Sequence, residues 1–329
     1  MASDAADEGS PSPIDRLPAE MLCKILRRHA TNEDRVACRR VSRLWRAASA
    51  PLPRKHLGSQ DYIGAVAKRG WLNVLKWAVA DGCPWSEIVC ARAASGGHLG
   101  VIQWARANGC PWDDYTCSYA AEGGHVAVLQ WARANGCPWD GFTCAYAALG
   151  GHLDALRWAH ANGCPWDDWT CAYAAQGGHL EVLRWARANG CAWDAATCHY
   201  AAQGGHLGVL RWARENGCPW DEMTCAYAAI GGHLDALKWA RANGCPWDDE
   251  TSDCAAAGGH LGVIAWARAN GCPWGEDVCG SAAARGHIEV LKWLRANGCP
   301  WDRQRCERAA AAGDHHTVAE WIRSADASQ

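Results

Sequence analysis

Residues 169–193 read WTCAYAAQGGHLEVLRWARANGCAW. Thr170 is a good N-cap, and the small residues Cys171, Ala172, Ala174 and Ala175 behind it suit a short helix that lies close to a neighbour. Gly177 and Gly178 break that helix. A second is expected from about His179, with Leu180, Val182, Leu183, Trp185 and Ala186 forming one broad apolar face and Glu181, Arg184 and Arg187 left in water. Asn189 and Gly190 end it, the glycine supplying the left-handed backbone of a helix C-terminus. In most copies a proline follows, as at Pro165, Pro219 and Pro246, and forbids continuation.

Copies are numerous. Gly-Cys recurs at Gly82, Gly109, Gly136, Gly163, Gly190, Gly217, Gly244, Gly271 and Gly298, always 27 residues apart, and a histidine keeps the same step from His98 to His287. A fixed period of this size marks a stacked repeat architecture. Two short antiparallel helices per 27 residues leave little chain for anything else, so the fold class is all-α: an α-solenoid of about ten helix-turn-helix repeats.

Charge separates the beginning of the chain from the rest. Residues 14–55 hold eleven Lys/Arg against four Asp/Glu, whereas 56–329 hold 21 against 28. The organisation expected is a small, acidic, Pro/Ser-rich disordered leader over 1–13, a basic helical unit over 14–55 and the repeats over 56–329. No apolar run reaches the roughly 18–20 residues of a membrane span and the start lacks the features of a signal peptide, so an intracellular, cytoplasmic protein is expected, without membrane attachment and with the nucleus open to it.

Of the 20 cysteines, 17 fall in two repeat slots, and without a secretory signal reduced thiols are expected. Cys164, Asp167, Cys171 and His179 look like metal ligands. However, ligands of one zinc lie within about 4 Å of each other, while Cys171 and His179 stand at opposite ends of a helix, about 12 Å apart. The thiols are therefore read as small packing residues, with no metal and no cofactor, and the histidines as caps or bridges between repeats. The residues show no nucleophile with a base and no phosphate-cradling loop, so no enzymatic activity is expected.

Tryptophan occurs 22 times. One rank, Trp77 to Trp293 in 27-residue steps, falls on the apolar face of the second helix and is read as core; another, Trp85 to Trp301, follows the turn proline. The second rank could form a stacking platform for nucleic acid, but an acidic solenoid repels phosphate, and no nucleic acid partner is expected.

From Thr143 to Cys164 the repeat, T-C-A-Y-A-A-L-G-G-H-L-D-A-L-R-W-A-H-A-N-G-C, resembles the ankyrin repeat pattern T-P-L-H-x-A-A-x-x-G-H-x-x-V-V-x-L-L-L-x-x-G-A without a gap. The likeness covers about 61–325, with a unit of 27 residues rather than about 33. A tight Pro-Trp turn is expected in place of the family's projecting hairpin. The resemblance implies that the turn and first helix form the binding face. The slot before the threonine varies most between copies and presents Ile88, Tyr115, Phe142, Trp169, Met223, Glu250 and Asp277 as candidate target-binding residues. The third residue of T-C-x-Y and the residue before Gly-Gly vary next most.

Residues 14–53 place Met21, Leu22, Ile25 and Leu26 on one helical face and Val36, Ala37, Val41, Leu44 and Trp45 on another, a marginal core that often completes itself on a partner. With L-P-x-E at Leu17, Pro18 and Glu20, I-L at Ile25 and Leu26, and V-S-x-x-W at Val41, Ser42 and Trp45, the stretch resembles the F-box, although His29 and Arg35 stand where the family usually has Leu. The resemblance implies docking on a Skp1-like adaptor through Leu17, Pro18, Leu22, Ile25, Leu26, Val41 and Trp45, and through it on a cullin ubiquitin ligase. An N-terminal F-box joined to short Trp/Cys-rich ankyrin-like units resembles the F-box/ankyrin proteins of giant DNA viruses, including pandoravirus-like ones. The expected function is a non-catalytic substrate-recognition adaptor, monomeric outside the ligase complex. The alternative is a stand-alone scaffold that sequesters its target without ubiquitination.

Overall fold

The computed structural model describes residues 60–325 apart from 81 and 82. Leu17, Pro18, Leu22, Ile25, Leu26, Val41 and Trp45, the leader and the side chain of Trp77 lie outside the described residues.

All regular secondary structure among the described residues is helical, arranged as repeated hairpins. The chain divides into two compact units at Pro138 and Trp139. The described part of the first holds α1 (Gln60–Lys68), α2 (Leu72–Ala80), α3 (Ile88–Ser95), α4 (Leu99–Ala107), α5 (Asp114–Glu122) and α6 (Val126–Ala134). The second holds α7 (Gly141–Leu149), α8 (Leu153–Ala161), α9 (Asp168–Gln176), α10 (Leu180–Ala188), α11 (Ala195–Gln203), α12 (Leu207–Glu215), α13 (Glu222–Ile230), α14 (Leu234–Ala242), α15 (Asp249–Ala257), α16 (Leu261–Ala269), α17 (Val278–Ala284), α18 (Ile288–Ala296), α19 (Arg303–Ala312) and α20 (His316–Ser324).

Within each unit the odd-numbered first helices stack on one another, and each second helix packs on its own first helix. Composition explains this asymmetry. The first helices bury Cys and Ala, as Cys171, Ala172, Ala174 and Ala175 do in α9, so their backbones approach closely. The second helices contribute larger wedges: Leu129, Leu156, Leu183, Leu210, Leu237 and Ile264 are fully buried.

The two glycines between α9 and α10 have separate duties. Gly178 takes φ +77° and closes the helix with its N–H on Ala175 O at 3.2 Å, while the N–H of His179 reaches Ala174 O at 2.9 Å. Gly177 has ordinary dihedrals, but a Cβ there would lie 2.5 Å from Leu149 O of the preceding repeat. The second glycine serves conformation; the first permits close stacking.

The histidines tie neighbouring repeats together. Nε2 of His179 bonds Leu149 O at 3.0 Å, and Nε2 of His206 bonds Gln176 O at 3.0 Å, each spanning 30 residues. Burial, then the neighbouring imidazoles His152 and His206, lower the pKa of His179 despite that bond.

Three expectations need correction. Helix one begins at Asp168, two residues before Thr170: Asp167 is the N-cap, its carboxylate accepting the N–H of Trp169 at 3.1 Å, and Thr170 is buried in the first turn. The helix tryptophans are half-buried rather than core, as Trp185 and Trp212 show, and so are the turn tryptophans Trp166 and Trp193. The ranks pack edge-to-face, Trp166 on Trp185 at 5.8 Å and Trp193 on Trp212 at 5.9 Å between centroids. Nor is Arg187 left in water: its guanidinium lies 4.2 Å over the Trp193 ring and donates to Cys191 O. The closed core is thus the Cys/Ala/Leu layer, with a tryptophan–arginine seam along its edge.

Candidate protein-binding face

In five of the described first helices the capping aspartate also sets up the most variable side chain. Asp140 accepts from Phe142 N at 3.0 Å, Asp194 from Ala196 N at 3.0 Å, Asp221 from Met223 N at 3.1 Å and Asp248 from Glu250 N at 3.1 Å, as Asp167 does from Trp169. The slot is thus the second helical position, where a fixed cap holds the backbone while the side chain remains free to differ. Relative exposure is 50% for Tyr115, 49% for Phe142 and 40% for Trp169, large values for aromatic residues in ordered helices. Glu250 is also exposed, whereas Met223, Asp277 and Ile88 are half-buried. In the first unit Tyr115 leans on Tyr119 at 5.8 Å, and Ile88 packs over Gly64.

In the second unit the exposed aromatics rest on a continuous strip. Phe142 meets Tyr146 at 6.5 Å, and Trp169 meets Tyr173 at 5.6 Å and Tyr200 at 6.1 Å. Tyr146, Tyr173, Tyr200 and Tyr227 contact each other in sequence at 6.0, 6.3 and 5.7 Å, all edge-to-face. Burial, then the neighbouring Tyr227 and Tyr173, raise the pKa of Tyr200. Sequence reasoning took these tyrosines as part of the repeat pattern and missed them as surface. Their 27-residue spacing was the available signal, because equal steps in a stack bring like residues into register.

Beyond Tyr227 the face turns acidic. Cys254 occupies the tyrosine slot, with Asp248, Asp249 and Glu250 at the start of its helix. Burial, then the charges of Glu250, Asp277 and Asp249, push the Asp253 carboxyl up to about 7, against a lowering by Arg305. Arg305 pairs with Asp277, Nε to Oδ1 at 2.7 Å, so Asp277 is partly neutralised and Glu250 faces solvent. Beside the strip, His199 Nε2 lies 2.6 Å from Asp221 Oδ1 and its ring is 5.4 Å from Tyr227.

The other variable slots do not present side chains equally. Ala145, Ala172 and Ala226 are buried in the third T-C-x-Y position, while His199 and Asp253 are half-buried there. The residues before Gly-Gly are half-buried and include the carbonyls that receive the bridging histidines. Among the described residues no group of three or more His, Cys, Asp or Glu is placed to hold a metal ion, and no helix is long and apolar enough to cross a membrane.

Two family models match the chain, over three stretches. Residues 14–52 match the F-box-like family, and residues 144–187 and 198–241 match ankyrin repeats (many copies). No curated protein matches the chain significantly. One chain thus carries a stretch similar to F-box-like segments and two stretches similar to ankyrin repeats.

Proposed function

We propose that the protein is a substrate-recognition adaptor for a ubiquitin ligase. The F-box-like segment recruits a Skp1-like adaptor through Leu17, Pro18, Leu22, Ile25, Leu26, Val41 and Trp45, and with it a cullin ligase. The repeats hold the target protein with Tyr115, Phe142 and Trp169, assisted by Ile88, Met223, Glu250 and Asp277. In a giant-virus setting this pairing redirects the host's degradation machinery.

The observation that carries the reading is the exposed aromatic side chains on a tyrosine strip, in the same chain as an F-box-like segment. Rigid aromatics supply large contact area at low entropic cost and dominate binding hot spots. Tagged protein should co-purify a Skp1-like adaptor, and Leu22→Asp with Ile25→Asp should abolish this while leaving the helical circular dichroism of the repeats unchanged. A wild-type chain that brings down no such adaptor would overturn the ligase reading and leave a scaffold that only sequesters.

A further inference from the structure

We propose that the cysteines of the repeats form oxidisable dithiols, each of which a two-electron oxidant such as hydrogen peroxide closes into a disulfide within its own repeat. The first-helix thiol and the turn thiol twenty residues later meet although the chain between them makes a full hairpin. Cys279 Sγ lies 3.2 Å from Cys299 Sγ. In five other repeats the corresponding turn thiol is the largest cause of a raised pKa in its first-helix partner: Cys110 on Cys90, Cys164 on Cys144, Cys191 on Cys171, Cys218 on Cys198 and Cys245 on Cys225. All twelve sulfurs belong to buried, free cysteines. A disulfide needs a sulfur separation of about 2.05 Å, so the observed Cys279–Cys299 gap closes by roughly an ångström.

The two members of a pair differ chemically. The turn thiol already donates to a backbone carbonyl, as Cys191 does to Asp167 O at 3.1 Å, and receives the hydrogen bond of its partner. That received bond lowers the pKa of Cys110, Cys191 and Cys299, while giving it, together with burial, raises that of Cys90, Cys171 and Cys279. In the Cys279–Cys299 pair, where Cys279 donates and Cys299 accepts, the turn sulfur is therefore the nucleophile.

As thiolate it attacks one peroxide oxygen; the S–O bond forms, the O–O bond breaks, and the departing hydroxide takes up the proton released by the thiol. The first-helix sulfur then attacks the sulfenic sulfur; the S–S bond forms, the S–O bond breaks, and the leaving hydroxide takes the second thiol proton. Two thiols and one peroxide yield one disulfide and two waters, two electrons passing from sulfur to oxygen. The product ties the first helix to the turn of the same repeat and leaves the exposed second helical position free.

One repeat is a natural control. Ser252 occupies the first-helix slot, its Oγ accepting from Gly275 N at 3.0 Å, so Cys272 has a hydroxyl where the others have a thiol. The test is to oxidise the full-length protein with hydrogen peroxide under native conditions, alkylate in denaturant and map peptides without reduction. Cross-linked peptides carrying Cys171–Cys191 and the other five pairs are expected, each pair losing two alkylated thiols, with Cys272 alkylated. Ser252→Cys adds a link to Cys272, and Cys171→Ser removes only the link to Cys191. Thiols that all stay alkylatable, or links that ignore the twenty-residue register, would overturn the proposal.

Discussion

Two glycines, both with positive φ, separate backbone strain from contact between repeats. Gly178 has φ +77° and Gly190 has φ +88°. An alanine at either costs about 1–2 kcal/mol for a left-handed backbone, offset by about 0.4–1 kcal/mol from the less flexible unfolded chain. At Gly190 that is all, because a new Cβ meets nothing within 4 Å. At Gly178 the Cβ lands 2.6 Å from Nδ1 and 2.7 Å from Cε1 of His206. The ring must move, and its bond to Gln176 O at 3.0 Å, worth about 1 kcal/mol, goes with it. We therefore expect Gly190→Ala to cost about 1 kcal/mol and Gly178→Ala about 2–3 kcal/mol. Urea unfolding measures the loss, and amide hydrogen exchange should confine it to neighbouring repeats, since each repeat contacts only those beside it. Gly178→Ala combined with His206→Ala should cost less than the two separately, because the clashing ring is gone. Equal losses at the two glycines, or a strictly additive double variant, would refute the claim that the histidine–glycine contact clamps adjacent repeats.

Three further outcomes follow from the same geometry. Leu183→Ala should cost about 2–5 kcal/mol in urea unfolding, whereas Trp169→Ala, removing a 40%-exposed ring, should cost less than about 1.5 kcal/mol. Asp167→Ala should lower stability by about 1 kcal/mol through loss of the cap on Trp169 N, with hydrogen exchange rising first in the initial turn of α9. The Asp253 carboxyl, raised from 3.8 to about 7, keeps its proton in the folded chain where the unfolded chain has lost it. Stability therefore falls as pH rises from about 4 to 7 and levels outside that window; Asp253→Asn should flatten this part of the unfolding profile and stabilise the protein at pH 8.

Strict 27-residue recurrence made the helical hairpins legible, because glycines, histidines and apolar wedges repeated at equal steps can pack only in register. The start of the first helix was misread because Thr170 and Asp167 are both competent caps three residues apart; burial of the threonine decides for the aspartate. Periodicity placed Trp185 on the apolar face correctly, but it does not reveal how much of a face the next layer covers. At the margin of a stack a large ring is covered on one side only. The candidate site was legible at Tyr115, Phe142 and Trp169, where variation between copies marks freedom from packing. The tyrosine strip beneath was not, since a residue repeated in five consecutive units, from Tyr119 to Tyr227, looks like core until the stack shows that its edge faces out. The thiol pairs were hidden for a related reason: a twenty-residue offset becomes a contact only through the return path of the hairpin.

The central claim is that one chain carries two independent grips, one for a ligase adaptor and one for a target, with the target grip on the exposed aromatic slots. Quantitative proximity labelling in cells tests it with three baits: wild type, Leu22→Asp with Ile25→Asp, and Tyr115→Ala with Phe142→Ala and Trp169→Ala. The second bait should lose the Skp1-like adaptor while keeping the remaining partner, and the third should lose that partner at least tenfold while keeping the adaptor, a change of about 1.4 kcal/mol or more. Loss of both partners from either bait, or of neither from the aromatic variant, would contradict it.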